Sequence, residues 1–171
     1  MARQKSSTSP SSGIALRGFA KVNLVDADTG AVQYESDWYP NAIVNSGMTM
    51  LVHRIASGTY AERASYPTHM DPATQTAAVQ LSQTQASGEF GQRATTSNTT
   101  NTGTSSNQFV NSFTASWNST QATSAAIGAL ALYGSASGGS AYSIVLLTQT
   151  VSKQSTQTMN ATYEWRFQTT S

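Results

Sequence analysis

From Thr156 to Gln168 the chain alternates without a break. Gln157, Met159, Ala161, Tyr163, Trp165 and Phe167 hold one parity, and Thr156, Thr158, Asn160, Thr162, Glu164, Arg166 and Gln168 hold the other. A period of two puts each set on its own side of an extended backbone, so this stretch predicts a β-strand with one apolar and one wet face. Two further segments predict strands buried on both faces: Ala125-Ala-Ile-Gly-Ala-Leu-Ala-Leu-Tyr133, apolar almost throughout, and Ala141 to Val151 with Ile144-Val-Leu-Leu147 at its centre. Phe109, Phe113, Ala115 and Trp117 share a parity that only Asn111 interrupts. Gly134-Ser-Ala-Ser-Gly138-Gly139-Ser140 supplies a turn between two of these runs.

The N-terminal part adds a hairpin and a helix. From Phe19, the apolar residues Ala20, Val22 and Leu24 alternate, Asp26-Ala-Asp28-Thr-Gly30 provides turn chemistry, and Val32 and Tyr34 resume the alternation. Asp26 and Asp28 do not open a calcium loop, because the twelfth position is Asp37 instead of Glu and Gly30 comes one residue early. Asn45-Ser-Gly47 leads into Met48, Leu51, Val52 and Ile55, a helical stripe with Asn45 as its N-cap and Gly58 past its end. Between these regions the signals weaken. Tyr66-Pro67 and Asp71-Pro72 predict breaks, 73–86 reads as weak helix or extended chain, and the hydroxyl-rich run 93–107 reads as a long exposed loop. Several closely spaced strands with Gly/Ser turns make the expected fold mainly β. The form expected is an antiparallel β-sandwich or jelly-roll-like domain over residues 17–171, with one short inserted helix. Residues 1–16, rich in Ser and poor in apolar side chains, are expected to form an extended N-terminal arm carrying Arg3 and Lys5, with Arg17 at its base.

Composition narrows the functions open to such a domain. Only 10% of the 171 residues are charged, whereas Ser and Thr together supply 49, so neutral hydroxyls carry most of the surface polarity. The net charge of +1 gives no field that would draw the chain to nucleic acid or an anionic membrane. The absence of cysteine excludes disulfides, thiolate zinc sites and cysteine nucleophiles. No apolar stretch reaches the length of a spanning helix, and the basic first residues are not followed by the apolar core of a secretion signal.

Candidate chemistry is sparse. His53 and His69 lie in different elements, and His69-Met-Asp71 offers an imidazole beside a carboxylate without a third ligand nearby in the sequence. Gly134-Ser-Ala-Ser-Gly138 lacks the central serine of a nucleophile elbow, and the remaining glycines do not follow a phosphate-cradling spacing. Trp38-Tyr39, before Pro40, reads either as aromatic packing at the end of the hairpin or as a platform on which a sugar ring could stack. The residue pattern predicts no enzyme and no cofactor.

One segment carries a resemblance. Asn41-Ala-Ile-Val-Asn45-Ser-Gly47-Met-Thr-Met-Leu51, running to Ile55-Ala-Ser-Gly58, resembles a pattern found in tailed-bacteriophage virion proteins, where a strand pair with an acidic Thr-Gly turn precedes a helix. Lys153 and the alternating run Thr158 to Phe167 are similar to the C-terminal strands of those proteins, whereas residues 59–90 lack their Gly-Thr-Gly-like segment. The resemblance implies a non-enzymatic structural protein located in the virion, decorating or stabilising the capsid or forming part of the neck or tail. Its implied partners are copies of itself and other virion proteins such as the major capsid protein, with no direct nucleic-acid or membrane role. Arg3, Lys5 and Arg17 would then steer the arm onto an adjacent subunit, and Trp38 and Tyr39 would contribute buried contact area. The alternative is a carbohydrate-binding or adhesin module built on Trp38, Tyr39, Tyr60 and Tyr66.

Overall fold

A computed structural model describes residues 13–56, 66–102 and 108–170. It is mainly β and antiparallel with one short inserted helix, as expected. The strands are β1 (Gly13–Asp26), β2 (Val32–Glu35), β3 (Tyr39–Ile43), β4 (His69–Ala73), β5 (Ala94–Thr95), β6 (Ser97–Thr102), β7 (Gln108–Trp117), β8 (Ser124–Tyr133), β9 (Ala141–Lys153) and β10 (Gln157–Thr170). Helix α1 (Asn45–Ala56) follows β3. All but β2 lie along one path in the order β5-β4-β8-β9-β3-β1-β10-β7-β6, while β2 pairs with β1.

The two ends of that path are consecutive in the chain. β5 pairs with β4 and β6 pairs with β7, and only Thr96 separates β5 from β6. One kinked run, 94–102, thus begins on one edge of the sheet and ends on the other, rolling the sheet into a nearly closed barrel. This corrects the reading of 93–107 as a loop over residues 94–102. Its Thr and Asn side chains lack an apolar alternation, but Thr favours extended backbone and the ladder to β7 is made by main-chain groups. Residues 103–107 lie outside the described residues. β4 likewise contains Asp71-Pro72, a dipeptide that the sequence marks as a break. Pro72 is tolerated because β5 pairs only with His69 and Met70; beyond them that edge holds an isolated bridge, Ala73 with Glu89, in which Pro72 uses its carbonyl to accept from Phe90 N at 3.1 Å and no N–H of its own is called on.

The barrel interior takes one parity from each long strand: Ala20, Val22 and Leu24; Phe113, Ala115 and Trp117; Leu130 and Leu132; Met159, Ala161, Tyr163 and Trp165. A second cluster, Ala129, Ala131 and Tyr133 with Val44, Ala73 and Ile144, lies on the outer side of β8 and β9 and includes Ala86. The 125–133 run is therefore apolar because, from Ile127 onward, both of its faces are covered. The first hairpin turns as expected: Asp26 Oδ1 accepts from the N–H and the hydroxyl of Thr29, both at 2.8 Å, and Gly30 takes φ 71°.

Helix α1 differs from its predicted stripe. Met50 is buried and Leu51 partly so, whereas Met48 and Val52 are 46% and 58% exposed. The face applied to the barrel runs through Gly47, Met50 and Leu51, at i, i+3 and i+4. A hydrophobicity count misses it because its first member has no side chain. A Cβ at Gly47 would sit far inside contact distance of the Tyr142 carbonyl oxygen, which also accepts from Val44 N at 3.2 Å. Gly47→Ala should therefore lower stability by about 1–3 kcal/mol through overpacking, against a gain of about 1 kcal/mol in helix propensity. Thr49→Ala, on the exposed side of the same helix, should be neutral or slightly stabilising. Thermal melts of the two variants check this, and a Gly47→Ala protein melting at or above wild type would show the helix free to shift.

Candidate interaction surface

The interior parity of β1, β10 and β7 continues past the filled section of the barrel. Leu16 pairs with Phe167, and Phe167 pairs with Phe109, so three apolar side chains stand in a row across the three strands, with Ile14 one step beyond Leu16. Ile14 is 77% exposed and Phe109 51%. On the other side of this mouth stand Met48 and Leu51 of α1. Two grooves run between the strand row and the helix: one of about 540 Å3 that includes Ile14, Leu16, Ile43 and Met48, and one of about 310 Å3 that includes Leu51, Tyr66 and Phe167. Exposed apolar side chains scattered singly are ordinary, whereas those at this mouth are contiguous. The sequence contains the parity of these residues, but parity does not tell where the barrel stops being filled.

Arg17 is exposed on the outer side of β1, directly opposite Arg166 of β10. Arg166 is already engaged. Its guanidinium bonds Glu164 at 2.7 Å and lies 4.3 Å from the Phe19 ring centroid and 5.1 Å from that of Trp38. One face of Trp38 is thereby taken by a cation, and the neighbouring Tyr39 is buried with the barrel core, its hydroxyl 3.5 Å from that of Tyr34. Trp38 and Tyr39 point to opposite sides of the sheet and do not form a joint platform. Arg3, Lys5 and Tyr60 lie outside the described residues. The segment assigned to the arm gives its last four residues, Gly13 to Leu16, to β1, where they pair with β10.

The structure gathers a charged cluster of which the sequence suggests only two members, His69 and Asp71. Arg93 lies 3.5 Å from Glu89 and 4.0 Å from Asp71, donates to the carbonyls of Ser135 (3.2 Å) and Gly138 (2.5 Å), and stacks 3.4 Å above the Tyr133 ring centroid. Asp71 is fully buried; its Oδ1 accepts from Gln92 N at 3.2 Å and its Oδ2 has no hydrogen-bond partner. Burial, then the charge of Glu89, pushes its carboxyl up to about 6. Burial, then the charge of Arg93, holds the His69 imidazole below its usual value, and His69 Nδ1 is 2.9 Å from Thr68 Oγ1. Mechanically, Arg93 clasps the 134–140 turn to the β4–β5 hairpin. At the far end of the barrel Lys153 is fully buried, its amine unpartnered and its basicity lowered by burial. Among the described residues, no three His, Asp or Glu side chains converge as metal ligands, and no helix is long and apolar enough to cross a membrane. No protein-family model, curated protein or solved structure matches this chain.

Proposed function

We propose that this chain is a non-enzymatic structural subunit of a tailed-phage particle, decorating or stabilising the capsid or forming part of the neck or tail, and working through contacts with its own copies and other virion proteins. The observation that carries this reading is the apolar mouth at Ile14, Leu16, Met48, Phe109 and Phe167, a surface suited to burial against another polypeptide. The low charge and hydroxyl-rich strand surfaces support the same reading, since neutral short side chains allow close packing without desolvating ions. Small size favours a decorating position. Mass spectrometry of purified particles should find the chain at a fixed copy number per particle, and its absence from them would overturn the proposal. Deletion of residues 2–12, which spares all of β1, should weaken attachment to particles while leaving the melting temperature within a degree or two of wild type. Attachment at wild-type strength would remove the arm from the account.

A further inference from the structure

β1 is paired along its whole length with β10, but its other edge is only partly used. β3 covers Gly18 to Ala20 and β2 covers Asn23 to Val25. On that edge Val22 N donates to Ser36 Oγ and the Val22 carbonyl accepts from Ser36 N, both at 2.9 Å. The register with β10 has no shift, so the even-numbered residues of β1 all direct N–H and C=O away from β10. Ile14 and Leu16 therefore hold out two backbone donors and two acceptors that no described strand takes up. The groove of about 540 Å3 with Leu16, Ile43 and Met48 runs beside them. A free strand edge beside an apolar groove is the arrangement to which an extended segment adds as one more strand.

We propose that the occupant is a second copy of this chain, its own Ile14 to Leu16 running antiparallel about a two-fold axis at Ala15. This specifies the contact of the self-associating subunit proposed above and rests on that reading. The segment is self-complementary in this register. Ile14 faces Leu16 of the second copy and Leu16 faces its Ile14, each a hydrogen-bonded pair with both side chains on the concave face. Ala15 faces Ala15 at the closer, non-hydrogen-bonded position, where a small side chain fits. Arg17 of each copy falls four residues along the strand from Arg17 of the other, about 13 Å away, so the like charges are kept apart. The preceding residues 1–12 suit the groove poorly: apart from Met1, Ala2 and Pro10 they are polar, and Arg3 and Lys5 would approach Arg17. Residues 57–65 and 103–107 contain one large apolar side chain between them, Tyr60.

Because the chain has no cysteine, Ala15→Cys introduces a single thiol at the proposed axis. Under mild oxidation of the full-length protein, A15C should convert to a disulfide-linked dimer much faster than Val32→Cys, an exposed control on β2. Cross-linking no faster than the control would overturn the proposal. Ile14→Pro deletes an outward N–H in each copy and leaves the β10 ladder intact. At about tenfold per hydrogen bond, the two lost bonds should weaken the dimer about a hundredfold in sedimentation equilibrium. Should the proline variant fold poorly, Ile14→Lys sets a charge against the groove of each copy and should show the same loss. Wild-type affinity in a folded variant would also overturn the proposal. A chain present in particles but monomeric at this edge would defeat the edge contact alone, and a cross-linked dimer absent from particles would defeat the virion reading alone.

Discussion

Trp117→Ala should lower the melting temperature by roughly 10 °C, the largest loss expected from a single truncation in the barrel. The indole is fully buried opposite Met159 at the lower end of the interior, where its removal would leave a cavity that the neighbouring strands cannot fill without breaking their ladders. Large-to-small changes of this kind cost about 3–5 kcal/mol. Trp117 has a second task, because its Nε1–H donates to the Gln92 carbonyl at 2.7 Å. Gln92 in turn accepts from Ala122 N through its side chain and donates its own N–H to Asp71. Two residues later β5 begins, so this bond ties β7 to the chain entering the closing strand, below the level at which β6 pairs with β7. Trp165 provides the comparison. It is equally buried, packs edge-on against Phe113 with ring centroids 5.4 Å apart, and its Nε1–H has no partner. Trp165→Phe deletes an unsatisfied donor and should cost little, whereas Trp117→Phe strands the Gln92 carbonyl and should cost about 1–3 kcal/mol more. Melts of the three variants test the closure, and equal losses for the two phenylalanine variants would show that the Gln92 bond contributes nothing to it.

The contrast between these two tryptophans also marks how far the sequence could be read. Both stand at inward parity in runs whose alternation is plain, and so β7 and β10 were legible as strands with a defined face. β8 was legible for a different reason: a nine-residue run apolar at nearly every position needs cover on both sides, which the barrel interior and the outer cluster supply. Closure was not legible. Run 94–102 contributes main-chain hydrogen bonds to two separate partners, and main-chain pairing leaves no trace in side-chain pattern once the residues are Thr, Ser and Asn. The seating of α1 was hidden in a related way, since Gly47 makes its contact by lacking a side chain. The mouth is a middle case. Ile14, Phe109 and Phe167 carry inward parity, but only the stagger of the strands shows that their side chains emerge above the packed layer. Glu89 and Arg93 have the i, i+4 spacing of a helical ion pair in a segment that is not helical, so the spacing said nothing about their meeting.

Asp71→Asn should stabilise the protein at pH 8 and leave it nearly unchanged at pH 4. The carboxyl is buried beside Glu89, which together outweigh the hydrogen bond from Gln92 and the charge of Arg93, so its folded value lies near 6 against 3.8 as the ordinary value. A group whose folded value is raised binds its proton more tightly in the fold than in the open chain. Its contribution to stability is therefore complete below about 3.8 and is lost as the pH rises through 6. A shift of about two units corresponds to about 3 kcal/mol between those limits, or roughly 6–12 °C in melting temperature for a chain of this size. Asparagine keeps an oxygen for the Gln92 N–H and removes the ionisation. Arg93 retains Glu89, the carbonyls of Ser135 and Gly138 and the Tyr133 ring, so the clasp on the 134–140 turn should survive. His69 also titrates in both proteins, and the informative quantity is therefore the difference between variant and wild type measured pH by pH. That difference should open between about pH 4 and 6 in favour of the variant and stay level above pH 7. A flat difference across the range, or a variant weaker at every pH, would mean that Arg93 neutralises the buried carboxylate fully and that Asp71 is the anchor of the clasp.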